Sequence, residues 1–321
     1  MTKRIEKIDV HHHIMPSWYV EAVQAAGEKD AGGVAFPEWS VESALALMDR
    51  KGIGTAITSV AAPGVYFGDI EKAKALARKS NEYSAKLVAD HPDRFGAYAV
   101  LPLPDVDAAL AELAYATDVL KLDGVALLSN YRGRYPGDPA FDALFDEMNR
   151  RKTTIFVHPE VAMERPKLPI PGTLTEFVFD TTRAAANLIF SGTMERNPDL
   201  RIILAHMGGT VPYLAGRFAL GALDPHLNSK APKGAQAYLK RFYYETALST
   251  SPTALASAQE IVEPSRILFG SDHPFAPEKL IDAEIQGLER YAGFDAETRE
   301  RIERDNALPL FPRLAAATVR S

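Results

Sequence analysis

Eight short apolar, β-rich runs, spread along most of the chain and separated by longer helical stretches, constrain this sequence more than any other feature. They lie at 5–10, 55–60, 95–101, 124–128, 154–158, 202–206, 242–246 and 267–270. Between most of them the pattern is helical. Leu45, Leu47 and Met48 mark a helix over 40–51, and an Ala- and Lys-rich helix over 70–90 ends at His91-Pro92. Asp105 and Asp138 stand at expected N-caps, opening helices over 105–121 and 139–152. A long helix is predicted over 173–197, stopped by Pro198. Helices over 252–262 and 277–293 carry proline in the first turn, where its missing N–H is harmless. Strands alternating with helices build a parallel sheet, and eight such units close into a single (β/α)8 TIM barrel.

An open doubly wound sheet is the rival arrangement. It lacks support here, because no glycine-rich phosphate fingerprint follows the first run. Polar residues instead follow runs scattered over the whole chain, as a closed ring of strand ends requires. No low-complexity linker or change of composition interrupts the 321 residues, so one domain over 1–321 is expected. A proline-rich stretch at 167–173 reads as a lid over the barrel mouth, and the glycine-rich 27–33 as a loop before the first barrel helix.

Composition narrows the chemistry. There is no cysteine, which removes disulfides, thiol catalysis and thiolate-bound zinc, so any metal must be held by nitrogen and oxygen. The net charge of −6 speaks against a nucleic-acid partner. The N-terminal stretch has no apolar signal core and no run is long enough for a membrane span, so a cytoplasmic protein with no membrane partner is expected.

Four runs end in imidazole or carboxylate: IDVHHHIMP, IFVHP, IILAHMGG and ILFGSDHP. In a barrel these ends share one mouth. Alternation along a strand sends His11 and His13 to one face and His12 to the other. With His158 and Asp272 they make three nitrogens and one oxygen. That set suits one divalent metal, zinc in the first place and manganese in the second, with room left for water or substrate. His206 is then the acid/base beside the metal. The fourth run, GVALL, offers no lysine to bridge a second ion, so a single metal is expected. Asp9 and Glu245 are candidates to fix the far nitrogen of a bound imidazole. Trp18, Phe67, Tyr131 and Phe275 could stack on a ring. Arg217, eleven residues past His206, is either a solvated charge or a clamp for a substrate carboxylate.

These motifs resemble the amidohydrolase superfamily. IDVHHHIMP is similar to its IDxHxHxxP signature. Together with FVHP, LAHMGGTVPYLAGR and LFGSDHPF, it resembles the aminocarboxymuconate-semialdehyde decarboxylase branch, or amidohydrolase family 2, from Ile8 to Phe311. Within that branch the chain looks most like the 6-methylsalicylate decarboxylase type. The resemblance implies that His11, His13, His158 and Asp272 bind metal, that His206 and Asp272 are catalytic, and that Arg217 reaches a substrate carboxylate, in some members from a neighbouring subunit. Phe275 and His273 complete the expected substrate contacts. Two departures separate the chain from the semialdehyde decarboxylase itself: Pro225 stands where that enzyme has a second arginine, and His273 where it has tyrosine.

Two activities use such a site. One is non-oxidative decarboxylation of an aromatic or unsaturated acid such as a 2-hydroxybenzoate; the alternative is hydrolysis of a lactone, ester or amide. The expected partners are a small carboxylate substrate and, by resemblance, a second copy of the chain in a homodimer.

Overall fold

The computed structural model describes residues 6–314. Eight strands, β1 (Lys7–Ile14), β2 (Ile53–Val60), β3 (Phe95–Val100), β4 (Gly124–Leu128), β5 (Thr154–His158), β6 (Arg201–Leu204), β7 (Tyr243–Glu245) and β8 (Ile267–Leu268), run parallel in chain order. β8 is short, and residues 269–273 complete its edge: Val10 N donates to Phe269 O at 2.9 Å and His13 N to His273 O at 2.7 Å. The ring closes there as a TIM barrel.

The surrounding helices are α1 (Ser17–Ala25), α2 (Val41–Lys51), α3 (Ile70–Asp90), α4 (Val106–Ala114), α5 (Asp142–Arg150), α6 (Glu176–Phe190), α7 (Thr193–Arg196), α8 (Val211–Ala219), α9 (Pro225–Lys230), α10 (Ala235–Leu239), α11 (Pro252–Gln259), α12 (Glu278–Arg290) and α13 (Ala296–Glu303). Both expected caps act: Asp105 accepts from Ala108 N at the start of α4, and Asp138 accepts from Ala140 N at the short turn that leads into α5; Ser40 and Asp69, not singled out in the sequence, cap α2 and α3 as well. The helix expected over 105–121 passes into a π-turn at Tyr115–Val119. The long helix expected over 173–197 is broken. Gly192 takes φ 82°, a left-handed conformation open to glycine, so α6 stops well short of Pro198.

Two apolar layers form. One lies between strands and helices. The other fills the barrel interior, where Val10, Ile57, Phe156, Ile203 and Leu268 meet Leu310 and Phe311. Thr154 Oγ1 donates to Leu310 O at 2.9 Å and Arg201 to Pro309 O at 3.1 Å, so the C-terminal segment plugs the end where the strands begin. Phe156 has no exposed surface, and its truncation to alanine would cost about 3–5 kcal/mol. With that end sealed, the opposite mouth is the open one. Among the described residues no helix is long and apolar enough to cross a membrane.

Candidate metal centre

The three consecutive histidines lie within β1, which runs on to Ile14 and ends before Pro16. The expected run stopped at Val10, and its first residue, Ile5, lies outside the described residues. His206 opens a short 3-10 turn, His206–Gly208, past the end of β6, and Asp272 lies past the end of β8. Both take positive φ, 54° and 56°, in the left-handed region that a non-glycine residue occupies at a cost. That turn aims both side chains back over the barrel axis.

His11, His13, His158 and Asp272, all buried, each bring one donor atom within 4.8 Å of the others. His11 Nε2 and His13 Nε2 are 2.9 Å apart, and Asp272 Oδ1 is 3.2 Å from each. Despite that proximity Asp272 Oδ1 is a buried oxygen with no hydrogen-bond partner, because the two nitrogens face a common point.

The far nitrogens explain why. His11 Nδ1 donates to Glu245 Oε1 at 2.9 Å, and His158 Nδ1 donates to Pro159 O at 2.8 Å. Nδ1 is thereby held as the donor on both rings, and Nε2 is the nitrogen turned to the centre for a cation. His13 Nδ1 meets Ser59 Oγ at 3.1 Å.

Electrostatics agree. Burial opposes charge on His11, but the Glu245 and Asp272 carboxylates outweigh it and raise the imidazole to about 10. Burial pushes His13 down, and burial with the His13 and His11 charges pushes His158 far down. Burial would raise Asp272, but the His11 charge and the close His11 and His13 imidazoles hold it well below the usual carboxylate range. Two carboxylates thus call for one positive charge at the centre. A proton on His11 supplies it in the chain alone, and a divalent cation fits the same nitrogen and oxygen donors.

Of the two candidates to fix an imidazole of the four-donor centre, Glu245 does so. Asp9 holds His12 instead, where β1 is irregular between Asp9 and His12 and strict alternation fails. Its carboxylate accepts from His11 N, Ser271 N and His12 Nδ1, and so ties β1 to the segment after β8.

A cavity of about 310 Å³ opens over the centre, lined by His158, His206, Asp272, Phe275, Phe177 and Leu248. Ala31 in the glycine-rich loop with Val34 just after it, and Thr173 at the end of the proline-rich stretch with Leu174 after it, form its outer wall. Thr173 N donates to Gly32 O at 3.3 Å, so these two loops close on each other. His206 Nδ1 donates to the Ala247 carbonyl at 3.0 Å, leaving Nε2 to exchange a proton. Phe275 stands edge-on to His13 at 5.6 Å.

Other expected contacts fall elsewhere. His273 is not on this cavity: its backbone pairs with β1, and its ring lies 4.8 Å from His12 behind the strand. Burial and the His12 charge hold it neutral, down at about 3. Arg217 is exposed on α8 and does not line its own chain's cavity. Phe67 and Tyr131 line a second cavity of about 390 Å³, over the ends of β2 to β5, with His158 on the shared wall. Trp18 packs on Tyr83 and under Lys79.

Phe177 and Ser59 were missed. Ser59 was readable as the polar residue in an apolar strand end. Phe177, 5.9 Å from His158, looked like any apolar helix residue.

The chain is similar to proteins of known name. Decarboxylase yanB of Aspergillus niger is 38% identical, covering 96% of this chain and 88% of that protein. The 6-methylsalicylic acid decarboxylase of Penicillium expansum is 36% identical, covering 96% and 97%. The crystal structure of a dihydroxybenzoic acid decarboxylase from Polaromonas sp. JS666, with bound manganese and the inhibitor 2-nitroresorcinol, superposes with a TM-score of 0.78 at 25% identity, covering 96% and 97%. The profile of the amidohydrolase family matches residues 8–313. The chain belongs to the amidohydrolase family.

Proposed function

We propose that this chain is a metal-dependent, non-oxidative decarboxylase of a small aromatic acid of the 2-hydroxybenzoate type. The observation that carries this is the cavity itself. Asp272 and His206 meet there over the four-donor centre, and apart from His158, Thr173 and Ser249 the rest of the wall is apolar, with Phe177 and Phe275 its two rings and no lysine or arginine among its described residues. Such a space suits a flat, apolar ring with one anionic edge.

His11, His13, His158 and Asp272 would hold the cation, zinc by donor type or manganese as in the Polaromonas relative. When bound, the cation supplies Lewis-acid charge for the substrate carboxylate and its neighbouring oxygen. Phe275 and Phe177 hold the ring and keep water out. The reaction replaces a carboxylate by a proton. His206, carrying a second proton taken from solvent, delivers it from Nε2 to the ring carbon bearing the carboxylate, and the ionised Asp272 beside it stabilises the charged imidazole. The carbon–carbon bond then breaks, its electrons return to the ring, and carbon dioxide leaves. Solvent re-protonates the donor. Ala247 O holds the His206 tautomer throughout.

We place the working unit as a homodimer, in which the exposed Arg217 reaches the neighbouring copy's cavity and neutralises substrate charge there. The test is to incubate metal-loaded protein with 6-methylsalicylate and 2,6-dihydroxybenzoate and measure carbon dioxide and the phenol. Release of both in equal amounts is expected. Turnover of an ester or lactone panel with no carbon dioxide from any hydroxybenzoate would overturn the proposal.

A further inference from the structure

The turn after β7 does two jobs at the cavity: the Ala247 carbonyl holds His206 Nδ1, and Leu248 forms part of the wall. Its backbone is costly. Leu248 takes φ 53°, and its side chain is half exposed, so no packing of its own side chain secures the conformation.

Something else must hold the turn, and two buried carboxyls do. Glu245 Oε2 accepts from Ala247 N at 2.6 Å. From outside the barrel, Glu284 on α12 accepts from Leu248 N through Oε1 at 2.6 Å. Glu284 is only 3% exposed, and its Oε2 is buried with no partner. Gly287, one turn further on, lets α12 approach closely: a Cβ there would stand 2.7 Å from Thr250 O. Burial and the negative charges of Glu245 on β7, Asp272 after β8 and Asp9 on β1 keep the Glu284 carboxyl protonated far above the usual range. A buried acid with one hydrogen bond to a strained turn is expensive for stability alone, and its position gives it a reason to be there.

We infer that Glu284 is a positioning residue for the reaction: it locks the turn after β7, and through the Ala247 carbonyl it fixes the tautomer and direction of His206. It touches neither substrate nor metal. The inference rests on His206 as the group that handles the proton.

The test uses three variants of the full, metal-loaded protein. Glu284→Met keeps volume but leaves Leu248 N unpaired. Glu284→Gln keeps the acceptor and imitates the neutral acid. His206→Asn removes the group acted upon. Nitrogen-15 NMR of the histidine rings gives a readout independent of turnover. His206 is expected as a single Nδ1–H tautomer in the parent and Glu284→Gln, and as a mixture in Glu284→Met. Turnover should follow: kcat falls about 10- to 100-fold in Glu284→Met with KM changed less than about threefold, and recovers in Glu284→Gln. In the His206→Asn background, Glu284→Met should add less than about threefold.

An unchanged His206 tautomer in a folded Glu284→Met would overturn the inference whatever the turnover. So would an equal loss of kcat with and without His206. If Glu284→Met does not fold, Glu284→Ala and Glu284→Leu read at reduced temperature replace it under the same two criteria. Absence of decarboxylation in the parent would instead defeat the functional proposal and leave the tautomer result standing.

Discussion

His11 Nδ1 donates to Glu245 Oε1 at 2.9 Å, and this bond ties β1 to β7 across the inside of the barrel. Neither side chain has any exposed surface. The same carboxylate also accepts from His206 N and Ala247 N, so one acid orients His11, His206 and the turn that holds His206. Glu245→Gln keeps the shape but replaces a charged acceptor by a neutral one that can also donate. Metal binding should weaken about 10- to 100-fold, read by competition with a chelating dye. Unaltered affinity would show that Glu245 is only a packing group.

Asp180 on α6 has a different task. Its buried carboxylate accepts from Ser129 Oγ, from Asn130 Nδ2 at 2.7 Å and from Tyr135 OH at 2.6 Å, and Ser129 Oγ in turn accepts from Glu160 N at 2.8 Å. One side chain therefore pins the loops after β4 and β5. Asp180→Ala strands these three donors, releases Arg183 as well, and should cost about 3–5 kcal/mol, seen as a lower midpoint in urea with an unchanged slope. A change under about 0.5 kcal/mol would contradict the hub role.

Much of this was legible in the sequence, for a physical reason. Strand β-propensity and helix capping are local, so the eight runs and the caps at Asp105 and Asp138 could be read residue by residue. The four-donor set was legible because a barrel forces strand ends together. What escaped is what the chain decides in three dimensions. The irregularity in β1 redirected Asp9. The left-handed turns at His206 and Asp272 placed both beyond their strands. His273 turned away because its backbone was needed to close the barrel on β1. Glu284 is instructive: with Ile281 and Leu288 it lies on one helical face at spacings of three and four, so an acid within an apolar stripe was the available signal.

The protonated Glu284 has a consequence for stability. In the unfolded chain this carboxyl ionises in the usual range near 4.5, whereas in the folded chain burial and neighbouring carboxylates keep it protonated far higher. Between those two points folding must take up a proton. The contribution is therefore favourable at acid pH and is lost as pH rises, by about 1.4 kcal/mol per unit at most. Glu284→Gln removes the penalty. Its melting temperature relative to the parent, both metal-free, should climb from pH 5 to pH 8. A difference that stays flat with pH would refute this.

Phe275 bounds the cavity beside His13. Phe275→Ala should keep the metal and lower kcat/KM for a hydroxybenzoate about 10- to 100-fold, mainly through KM, because it removes a ring that packs on substrate rather than a proton donor. A loss confined to kcat would argue that Phe275 orders the catalytic groups instead.

Everything functional depends on His11, His13, His158 and Asp272 sharing one ion. Elemental analysis of protein loaded with manganese or zinc and then desalted tests this most directly. The account predicts one metal per chain in the parent and almost none in His158→Ala or Asp272→Ala under the same treatment. A parent that retains no stoichiometric metal, or variants that bind it as well as the parent does, would contradict it.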